Sequence, residues 1–195
     1  MTRKPGLPDY DDAAKFPARV WNAVERTRRD GFPLACLPEV GQLLQLCAGL
    51  GGVTNACELG TAYGVGAAWI ESGLRPGASL LTIELDPARA SAAAELFHDS
   101  TAVEVLQGDW SLATKRGPFD LLFSDGGPKR NAGDPEKLLP LVRQGGLLVL
   151  DDYSPDFPSH DDDASRRIWL EHPAYRAREL MLSPTVSVIL AVRAG

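Results

Sequence analysis

Between residues 53 and 150, short apolar runs alternate with longer stretches of helical character. The runs cover residues 53–59, 79–84, 102–107, 119–124 and 147–150. Such alternation is typical of βαβ units, in which each helix crosses over to place the next strand parallel to the last. The pattern therefore predicts an α/β fold, a doubly wound parallel sheet with helices on both faces.

Helical spacing of apolar residues predicts the segments around these strands. They cover residues 13–29, 38–48, 65–72, 88–97, 135–142 and 163–170, with a weak turn near 112–113. The final runs, 177–182 and 185–192, are separated only by Ser183 and Pro184. So short a connection cannot hold a parallel crossover, and an antiparallel hairpin is predicted. We expect one domain over residues 1–195, with residues 1–50 as a helical extension covering the site.

Composition excludes several classes of protein. Twenty basic and 26 acidic residues give a net charge of -6, which disfavours nucleic acid and anionic membranes as partners. The chain has an odd number of cysteines without C-x-x-C spacing, namely Cys36, Cys47 and Cys57. Neither a disulfide framework nor a zinc cluster is therefore indicated. With no apolar run long enough to span a bilayer, the expected location is cytoplasmic.

The most informative motif is Glu58-Leu-Gly60-Thr-Ala-Tyr-Gly64-Val-Gly66, where an apolar strand turns into a helix. Glycines there let the backbone turn tightly and approach a ligand. Glu84 ends the next strand, 18 residues beyond Gly66. A carboxylate at that position can accept hydrogen bonds from both hydroxyls of a ribose. The two features together predict a nucleoside cofactor at the carboxyl edge of the sheet.

The order of acid and glycines distinguishes between nucleosides. Dinucleotide sites have G-x-G-x-x-G, with a helix amino terminus directed at a pyrophosphate, whereas here an acid precedes G-x-x-x-G-x-G. Glu58 would repel a pyrophosphate but suits a ligand that carries a sulfonium and an amino group. A nicotinamide dehydrogenase is therefore the disfavoured alternative.

With these residues the chain resembles the class I S-adenosylmethionine-dependent methyltransferases, in particular the catechol and caffeoyl-coenzyme-A O-methyltransferase type. The matching segments are Glu58-x-Gly60-x-x-x-Gly64-x-Gly66, Thr82-Ile-Glu84-x-Asp86-Pro87, Phe119-Asp120-Leu-Leu-Phe-Ser-Asp125, Gly145-Gly-Leu-Leu-Val-Leu-Asp151-Asp152 and Leu37-Pro38-Glu39-x-Gly41. The resemblance covers residues 35–155. It implies a seven-stranded Rossmann-like sheet of order 3-2-1-4-5-7-6 with the last strand antiparallel, S-adenosylmethionine as cofactor, and O-methylation of a small hydroxylated or phenolic acceptor.

The resemblance also implies the binding residues. Glu58 and Gly60 would contact the methionine part of the cofactor, Glu84 the ribose, and Asp109 the exocyclic amine of adenine. The implied cofactor set is Glu58, Gly60, Thr61, Tyr63, Gly64, Gly66, Glu84, Leu85, Gly108, Asp109, Trp110 and Asp125. Two other interpretations remain open. Glu58 could be a buried charge tied to backbone amides, and Asp109 could be a helix cap beside a packed Trp110.

Three carboxylates are expected on the acceptor side. Asp125 ends the fourth strand and Asp151 and Asp152 end the fifth, so the side chains converge if those strands are neighbours. Mg2+ or another hard divalent cation would relieve their repulsion. In the family, such a metal binds the acceptor's vicinal hydroxyls. The alternative is that Asp151 and Asp152 cap a loop or contact the cofactor without metal.

The sequence departs from the metal-dependent relatives at two positions. They carry Asp-Asn where this chain has Asp151-Asp152, and a lysine where it has Pro128, with Lys129 one place later. The candidate catalytic residues are Lys129, Asp125 and His160, the last heading an acidic loop. Lys129 is a base or only a solvated charge, and the loop around His160 is equally explained as an acidic surface.

Alternatives of function and assembly also stay open. The same fold could methylate nitrogen or carbon without metal, or bind the cofactor without catalysis. The acceptor is expected to be a small molecule, and an aromatic wall for it could come from Trp21, Phe32, Tyr63 and Tyr153. The apolar helix near the amino terminus predicts either a homodimer contact or a lid.

Overall fold

Seven strands form one mixed sheet in the computed structural model, which describes residues 10–153 and 164–195. In chain order they are β1 (Asn55–Leu59), β2 (Ser79–Glu84), β3 (Val103–Gln107), β4 (Phe119–Ser124), β5 (Val142–Leu150), β6 (Tyr175–Ser183) and β7 (Val186–Arg193). Their order across the sheet is β3-β2-β1-β4-β5-β7-β6. The first five strands pair in parallel, and β7 is antiparallel to β5 and β6. The predicted order and antiparallel last strand are confirmed.

Helices connect the strands and cover the sheet. They are α1 (Ala18–Arg29), α2 (Pro38–Ala48), α3 (Val65–Gly73), α4 (Pro87–Leu96), α5 (Asp134–Leu138) and α6 (Ala164–Leu170), with short 3-10 helices at Ala13–Lys15, Trp110–Lys115 and Leu139–Leu141. The start of α4 shows how the sequence sets a boundary. The Asp86 side chain accepts the Arg89 N–H at 2.9 Å, and Pro87 occupies the first helical position. The chain therefore leaves β2 directly after Glu84.

The central strand β4 shows why the strand sequences are continuously apolar. All six of its residues are buried. Leu121 and Phe123 pack on one face with side chains of the helices α2 and α3, whereas Leu122 packs on the other face with Trp169. A parallel strand covered on both faces has no solvent side on which to place polar residues. Hydrophobic clusters therefore cover both faces of the sheet, and the charged groups lie at the ends of the strands.

The amino-terminal segment packs into the same core as α3. Val20 and Val24 of α1 are fully buried, as the helical spacing predicts. Trp69 of α3 donates from Nε1 to the Tyr10 hydroxyl at 2.9 Å, and that hydroxyl donates to the Cys36 carbonyl at 3.0 Å. This packing fixes residues 32–35 beside the carboxyl edge of the sheet.

Two prolines shorten helices that the sequence pattern predicts to be longer. The predicted helix 13–29 is interrupted at Pro17, because proline restricts the residue before it to extended backbone, and Phe16 has φ -127° and ψ 153°. The predicted helix 135–142 ends at Leu138. The chain then makes a 3-10 turn containing Pro140, and Val142 is already the first residue of β5. The spacing of apolar residues alone does not predict either interruption.

Several predicted strands differ at their ends from the observed ones. β5 begins five residues before the predicted residue 147, because Gly145, with φ +75°, lets the strand pass an irregularity opposite β4. β1 begins at Asn55 rather than at 53, and β6 extends beyond both ends of the prediction. In the part of the chain that the structure describes, no helix is both long and apolar enough to cross a membrane.

Candidate active site

A cleft of about 330 Å3 opens at the carboxyl ends of β1, β2, β4 and β5. It lies where the strand order reverses between β1 and β4, the usual ligand position in open α/β sheets. The lining residues are Phe32, Leu34, Ala35, Gly60, Ala62, Ile83, Glu84, Leu85, Arg89, Gly108, Asp109, Trp110, Asp125, Gly126, Asp151 and Asp152. The predicted ribose acid and the predicted acidic cluster therefore share one cleft.

The turn after β1 depends on glycine at its first position. Gly60 has φ +98°, and a Cβ added there would lie 2.4 Å from the backbone nitrogen of Gly126. Two strand-end loops thus touch backbone to backbone at the floor of the cleft. Gly64, with φ +92°, caps the amino terminus of α3. The predicted glycine-lined bend is present and borders the cleft.

Glu58 is buried beneath the first turn of α3. A Cβ on Gly66 would lie 2.3 Å from Glu58 Oε1, so glycine is required for the carboxyl group to fit. Thr82 donates its hydroxyl to Glu58 Oε2 at 2.5 Å. Burial raises the pKa of Glu58 well above its ordinary value, and the Thr82 hydrogen bond only partly opposes this. Among the described residues, Glu58 accepts a hydrogen bond from a hydroxyl group and not from the backbone amides of the alternative interpretation.

Other residues of the glycine turn that are predicted to contact the cofactor pack against neighbouring side chains of the protein. The Thr61 hydroxyl lies 2.5 Å from that of Thr82, and the Tyr63 ring packs edge-on against Phe32 at 5.7 Å. Gly64 faces Leu96. Thr61, Tyr63, Gly64 and Gly66 border a much smaller cavity or the helix surface, and their predicted contacts with a cofactor stay predictions.

Glu84 is 5% exposed and presents its carboxylate to the cleft. Oε2 accepts the Ala62 N–H at 2.8 Å, and Oε1 accepts the Asp86 N–H at 2.8 Å. Arg89 also donates to Oε1 at 2.8 Å. These contacts fix the carboxylate while its remaining lone pairs can accept from ribose hydroxyls. Glu84 therefore has the position that the sequence predicts for it.

The segment Gly108-Asp109-Trp110 forms one wall of the cleft. Gly108, with φ +151°, donates its N–H to the Glu84 carbonyl at 2.8 Å, which ties this wall to the end of β2. The Asp109 side chain accepts the Ser111 N–H at 3.0 Å. Hydrogen bonding from the Ser111 side chain, and then from this N–H, lowers the pKa of Asp109. The helix-cap interpretation is thus confirmed, and because Asp109 also lines the cleft, its contact with adenine stays a prediction.

The three acceptor-side carboxylates converge as predicted. Asp125, Asp151 and Asp152 each offer an oxygen atom, and these atoms all lie within 4.8 Å of one another. Lys129 Nζ lies 2.7 Å from Asp152 Oδ2 and 3.6 Å from Asp125 Oδ1. Lys129 is only 7% exposed, so the interpretation as a solvated surface charge is wrong.

Burial and mutual repulsion set the protonation of this cluster. Burial, followed by the charge of Asp125, raises the pKa of Asp151 to about 7. Burial alone would raise the pKa of Asp152 as well, but the interactions that oppose it, first among them that with the Lys129 ammonium, together lower this pKa to about 2. Burial alone would lower the pKa of Lys129, yet Asp125 and Asp152 raise it. A lysine held in its charged form is a poor general base, which argues against that predicted role.

Comparison with known proteins identifies the family. A profile described as a methyltransferase domain matches residues 57–153. A Mycobacterium tuberculosis protein named as a probable O-methyltransferase is 30% identical over an alignment of 170 positions, and the match covers 74% of this chain and 76% of that protein. The chain belongs to the class I, S-adenosylmethionine-dependent O-methyltransferase family.

Two further proteins are similar to this methyltransferase, one in sequence and one in fold. A catechol O-methyltransferase of M. tuberculosis is 31% identical over an alignment of 124 positions, and the match covers 60% of this chain and 56% of that protein. The crystal structure of a Bacillus cereus O-methyltransferase in complex with SAH superposes with a TM-score of 0.73 at 22% identity, covering 91% of each chain. The predicted membership and the Rossmann-like fold are both confirmed.

Some residues of the methyltransferase cleft have no signal in the sequence pattern. Ala62, with φ +47°, turns its N–H toward Glu84, although alanine gives no hint of a left-handed conformation. Arg89 pairs with Glu84 across a turn, and its Cζ lies 5.2 Å from the centre of the Phe32 ring. A basic residue one turn into the helix after the ribose acid is the feature that could have indicated it.

Of the four rings considered for an acceptor wall, Phe32 lines the cleft. Tyr153 is instead fully buried, and its hydroxyl donates to the Lys129 carbonyl at 2.5 Å. Trp21 and Tyr63 pack with arginines, Arg28 and Arg26 respectively. His160 lies outside the described residues.

Proposed function

We propose that this methyltransferase transfers the methyl group of S-adenosylmethionine to an oxygen of a small hydroxylated, preferably phenolic, acceptor. The observation that carries the proposal is the order of the cleft residues across the sheet. Glu84 and Gly108 lie at the ends of β2 and β3, Gly60 follows the central strand β1, and Asp125, Asp151 and Asp152 follow β4 and β5 on the other side. A nucleoside site and a polar acceptor site would thus meet over the glycine turn.

The residues present fit the cofactor. Glu84 would hold the ribose, and Leu85 and Trp110 offer apolar surface at the cleft wall for adenine. The close approach of Gly60 to Gly126 keeps the floor free of side chains where the methionine part would lie. Glu58 lines a small adjoining cavity below this turn. When bound, the cofactor supplies an electrophilic methyl group on a cationic sulfur.

The acceptor end combines polar and apolar surface. Carboxylates on the side of β4 and β5 can accept hydrogen bonds from hydroxyl groups. Phe32, Leu34 and Ala35 face the same cleft from the amino-terminal segment and suit a flat apolar ring. The catechol O-methyltransferase relative agrees with an acceptor that carries hydroxyl groups on a ring.

The chain's contribution to the reaction is mainly positioning. The acceptor oxygen would approach the methyl carbon opposite the sulfur, so that a carbon–oxygen bond would form as the carbon–sulfur bond breaks and its electron pair stays on sulfur. The hydroxyl proton would pass to a strand-end carboxylate that accepts its hydrogen bond, or to water. The Gly60 turn and the strand-end carboxylates fix the two halves of that geometry. Holding reactants in line is by itself a large source of rate enhancement.

Calorimetric titration tests the cofactor half of the proposal. We expect saturable binding of S-adenosylmethionine and of its demethylated product S-adenosylhomocysteine. Glu84→Ala should weaken binding about 100-fold, because hydrogen bonds to a charged carboxylate are lost. The matched control is Glu95→Ala, which removes an acid of α4 whose side chain is 77% exposed, and it should leave binding unchanged. Absence of binding to the unaltered protein would refute the assignment.

Product analysis tests the acceptor half. The protein is incubated with S-adenosylmethionine and paired acceptors that differ only in a ring hydroxyl or a ring amine, and the products are identified by mass spectrometry. The proposal predicts a methyl ether from the hydroxylated ring. Methylation of the amine alone would transfer the assignment to nitrogen, and cofactor binding without any product would favour a non-catalytic role.

A further inference from the structure

Lys129 places a cation inside the acidic cluster at the acceptor end of the cleft. Its Nζ lies 2.7 Å from Asp152 Oδ2 and 3.6 Å from Asp125 Oδ1, and it also donates to the Asp125 backbone carbonyl. Its side chain is 8% exposed, against 32% for Asp125 and 30% for Asp152. The ammonium group therefore lies behind the carboxylates, on the protein side of the cluster.

The backbone of Lys129 is anchored from the opposite direction. The Tyr153 hydroxyl and the Trp169 indole N–H both donate to the Lys129 carbonyl, at 2.5 Å and 2.8 Å. Both rings are fully buried. The Tyr153 ring also packs against the Arg130 guanidinium, whose Cζ is 4.6 Å from the ring centre. A lysine with a fixed backbone and a buried side chain has few other positions for its ammonium group.

A divalent cation in this cluster would compete with Lys129 for the same atoms. Hard cations take carboxylate oxygens as ligands, and one oxygen each of Asp125 and Asp152 already lies beside Nζ. The two positive charges would also repel each other strongly in a partly buried site. The donor set alone suits a metal, but the set together with Lys129 does not.

We propose that the Lys129 ammonium takes the place of a divalent metal in the cluster of Asp125, Asp151 and Asp152, so that this methyltransferase works without one. Lys129 is a positioning residue. It balances part of the negative charge and holds Asp125 and Asp152 with their exposed oxygens toward the cleft, where an acceptor hydroxyl can donate to them. The inference rests on the proposed function only for that last contact.

Metal binding tests the inference without any turnover. Mn2+ at up to about 1 mM is titrated into the protein, and free Mn2+ is followed by electron paramagnetic resonance. We expect no binding to the unaltered protein. Lys129→Met, which keeps the length and removes the charge, should gain Mn2+ binding by at least about tenfold, and Lys129→Arg should remain without it.

Two results would overturn the inference. One is stoichiometric Mn2+ binding by the unaltered protein that Asp151→Asn abolishes. The other is a Lys129→Met variant that keeps its affinity for S-adenosylhomocysteine but gains no Mn2+ binding. If Lys129→Met does not fold, the unaltered protein still decides by its own Mn2+ titration.

Activity supplies an independent check once an acceptor is known. Turnover by the unaltered protein should be unchanged by EDTA and not stimulated by Mg2+ or Mn2+, while loss of turnover in EDTA that Mg2+ restores would refute the inference. Lys129→Arg should retain more turnover than Lys129→Met in the absence of metal. A failure of all hydroxylated acceptors would refute the proposed function and leave the Mn2+ result standing.

Discussion

Two aspartates near opposite ends of strand β4 have opposite surroundings: Asp120 is its second residue, and Asp125 directly follows its last residue. At the amino edge of the sheet, Asp120 accepts hydrogen bonds from Thr54 N at 2.7 Å, Thr54 Oγ1 at 2.8 Å and Asn55 N at 3.0 Å, and it pairs with Arg143. At the carboxyl edge, Asp125 lies against two further aspartates and one lysine. The first is saturated by partners, whereas the second retains capacity for a ligand.

The protonation of the two groups differs in the same sense. Burial would raise the pKa of Asp120, but the hydrogen bonds from Thr54 and Asn55 lower it overall. Burial raises the pKa of Asp125, and the Lys129 ammonium does not fully compensate. An ionised group that is stabilised in the fold contributes stability, whereas one that is destabilised costs it. The amino edge therefore stabilises the sheet, whereas the carboxyl edge keeps charged groups available for a ligand.

The largest expected effect comes from a matched pair of glycines, one at each edge. Gly60 and Gly145 both have positive φ, but a Cβ on Gly60 would meet the Gly126 backbone at 2.4 Å, and one on Gly145 would meet nothing within 4 Å. Gly60→Ala should cost about 4 kcal/mol from backbone strain plus the clash, and Gly145→Ala only about 1 kcal/mol. Urea unfolding measures the free energies. Equal losses of free energy would mean that the loops of Gly60 and Gly126 are not in contact.

The second prediction removes the acid of the amino edge. Asp120→Ala should lower the free energy of unfolding by about 2–3 kcal/mol, because two N–H groups and a hydroxyl lose a charged acceptor. Glu104→Ala is the control, since Glu104 pairs with Arg116 at the surface and should cost less than about 1 kcal/mol. The affinity of Asp120→Ala for S-adenosylhomocysteine, measured at a temperature where the variant is folded, should be unchanged. A large loss of affinity would show that the edges are coupled.

Local pattern carries most of the fold and the ribose end of the site. The alternation of apolar runs predicts the strands because central parallel strands are buried on both faces, and β2 and β4 have the predicted ends. The spacing of Glu84 from the glycines of the turn predicts its place in the cleft. The interruptions at Pro17 and Pro140 are not predicted, because hydrophobic periodicity continues through both positions.

Contacts between residues that are distant in the sequence determine whether Lys129 is buried, and local spacing does not predict them. Lys129 follows a Gly126-Gly127-Pro128 turn, which suggests an exposed loop. Its burial comes from Tyr153 and Trp169, 24 and 40 residues further on, which hold its carbonyl. Such contacts have no local signature, so the state of this lysine could be learned only from the structure.

The third prediction concerns the carboxyl edge and has the opposite sign. Asp151→Asn should raise the free energy of unfolding by about 1–2 kcal/mol at pH 8 in EDTA, because burial and the charge of Asp125 disfavour the ionised carboxylate. The amide oxygen can still accept the Asp152 N–H that Asp151 Oδ1 accepts at 2.7 Å. Asp152→Asn is the contrasting variant, and it should be destabilising because it removes the partner of Lys129. Destabilisation by Asp151→Asn would contradict the repulsion argument.

The smallest expected effect is the pH dependence of the changes in unfolding free energy caused by Asp120→Ala and Asp151→Asn. It distinguishes the two edges of the sheet most clearly. The pKa of Asp120 is lowered in the folded state, so its contribution is complete above the ordinary value of 3.8 and is lost as pH falls through the folded value. The cost of Asp120→Ala should therefore be constant from pH 8 to 5 and shrink by less than about 1 kcal/mol on approaching pH 3.5.

Asp151 should show its change in a different range. Its pKa is raised to about 7, so the unaltered protein takes up a proton as pH falls through 7, and the gain from Asp151→Asn should shrink between pH 8 and pH 5. Urea unfolding of the three proteins at pH 8, 6.5, 5 and 3.5 distinguishes these windows. If both differences changed in the same range, the two acids would share one electrostatic environment, and the contrast between the edges of the sheet would be lost.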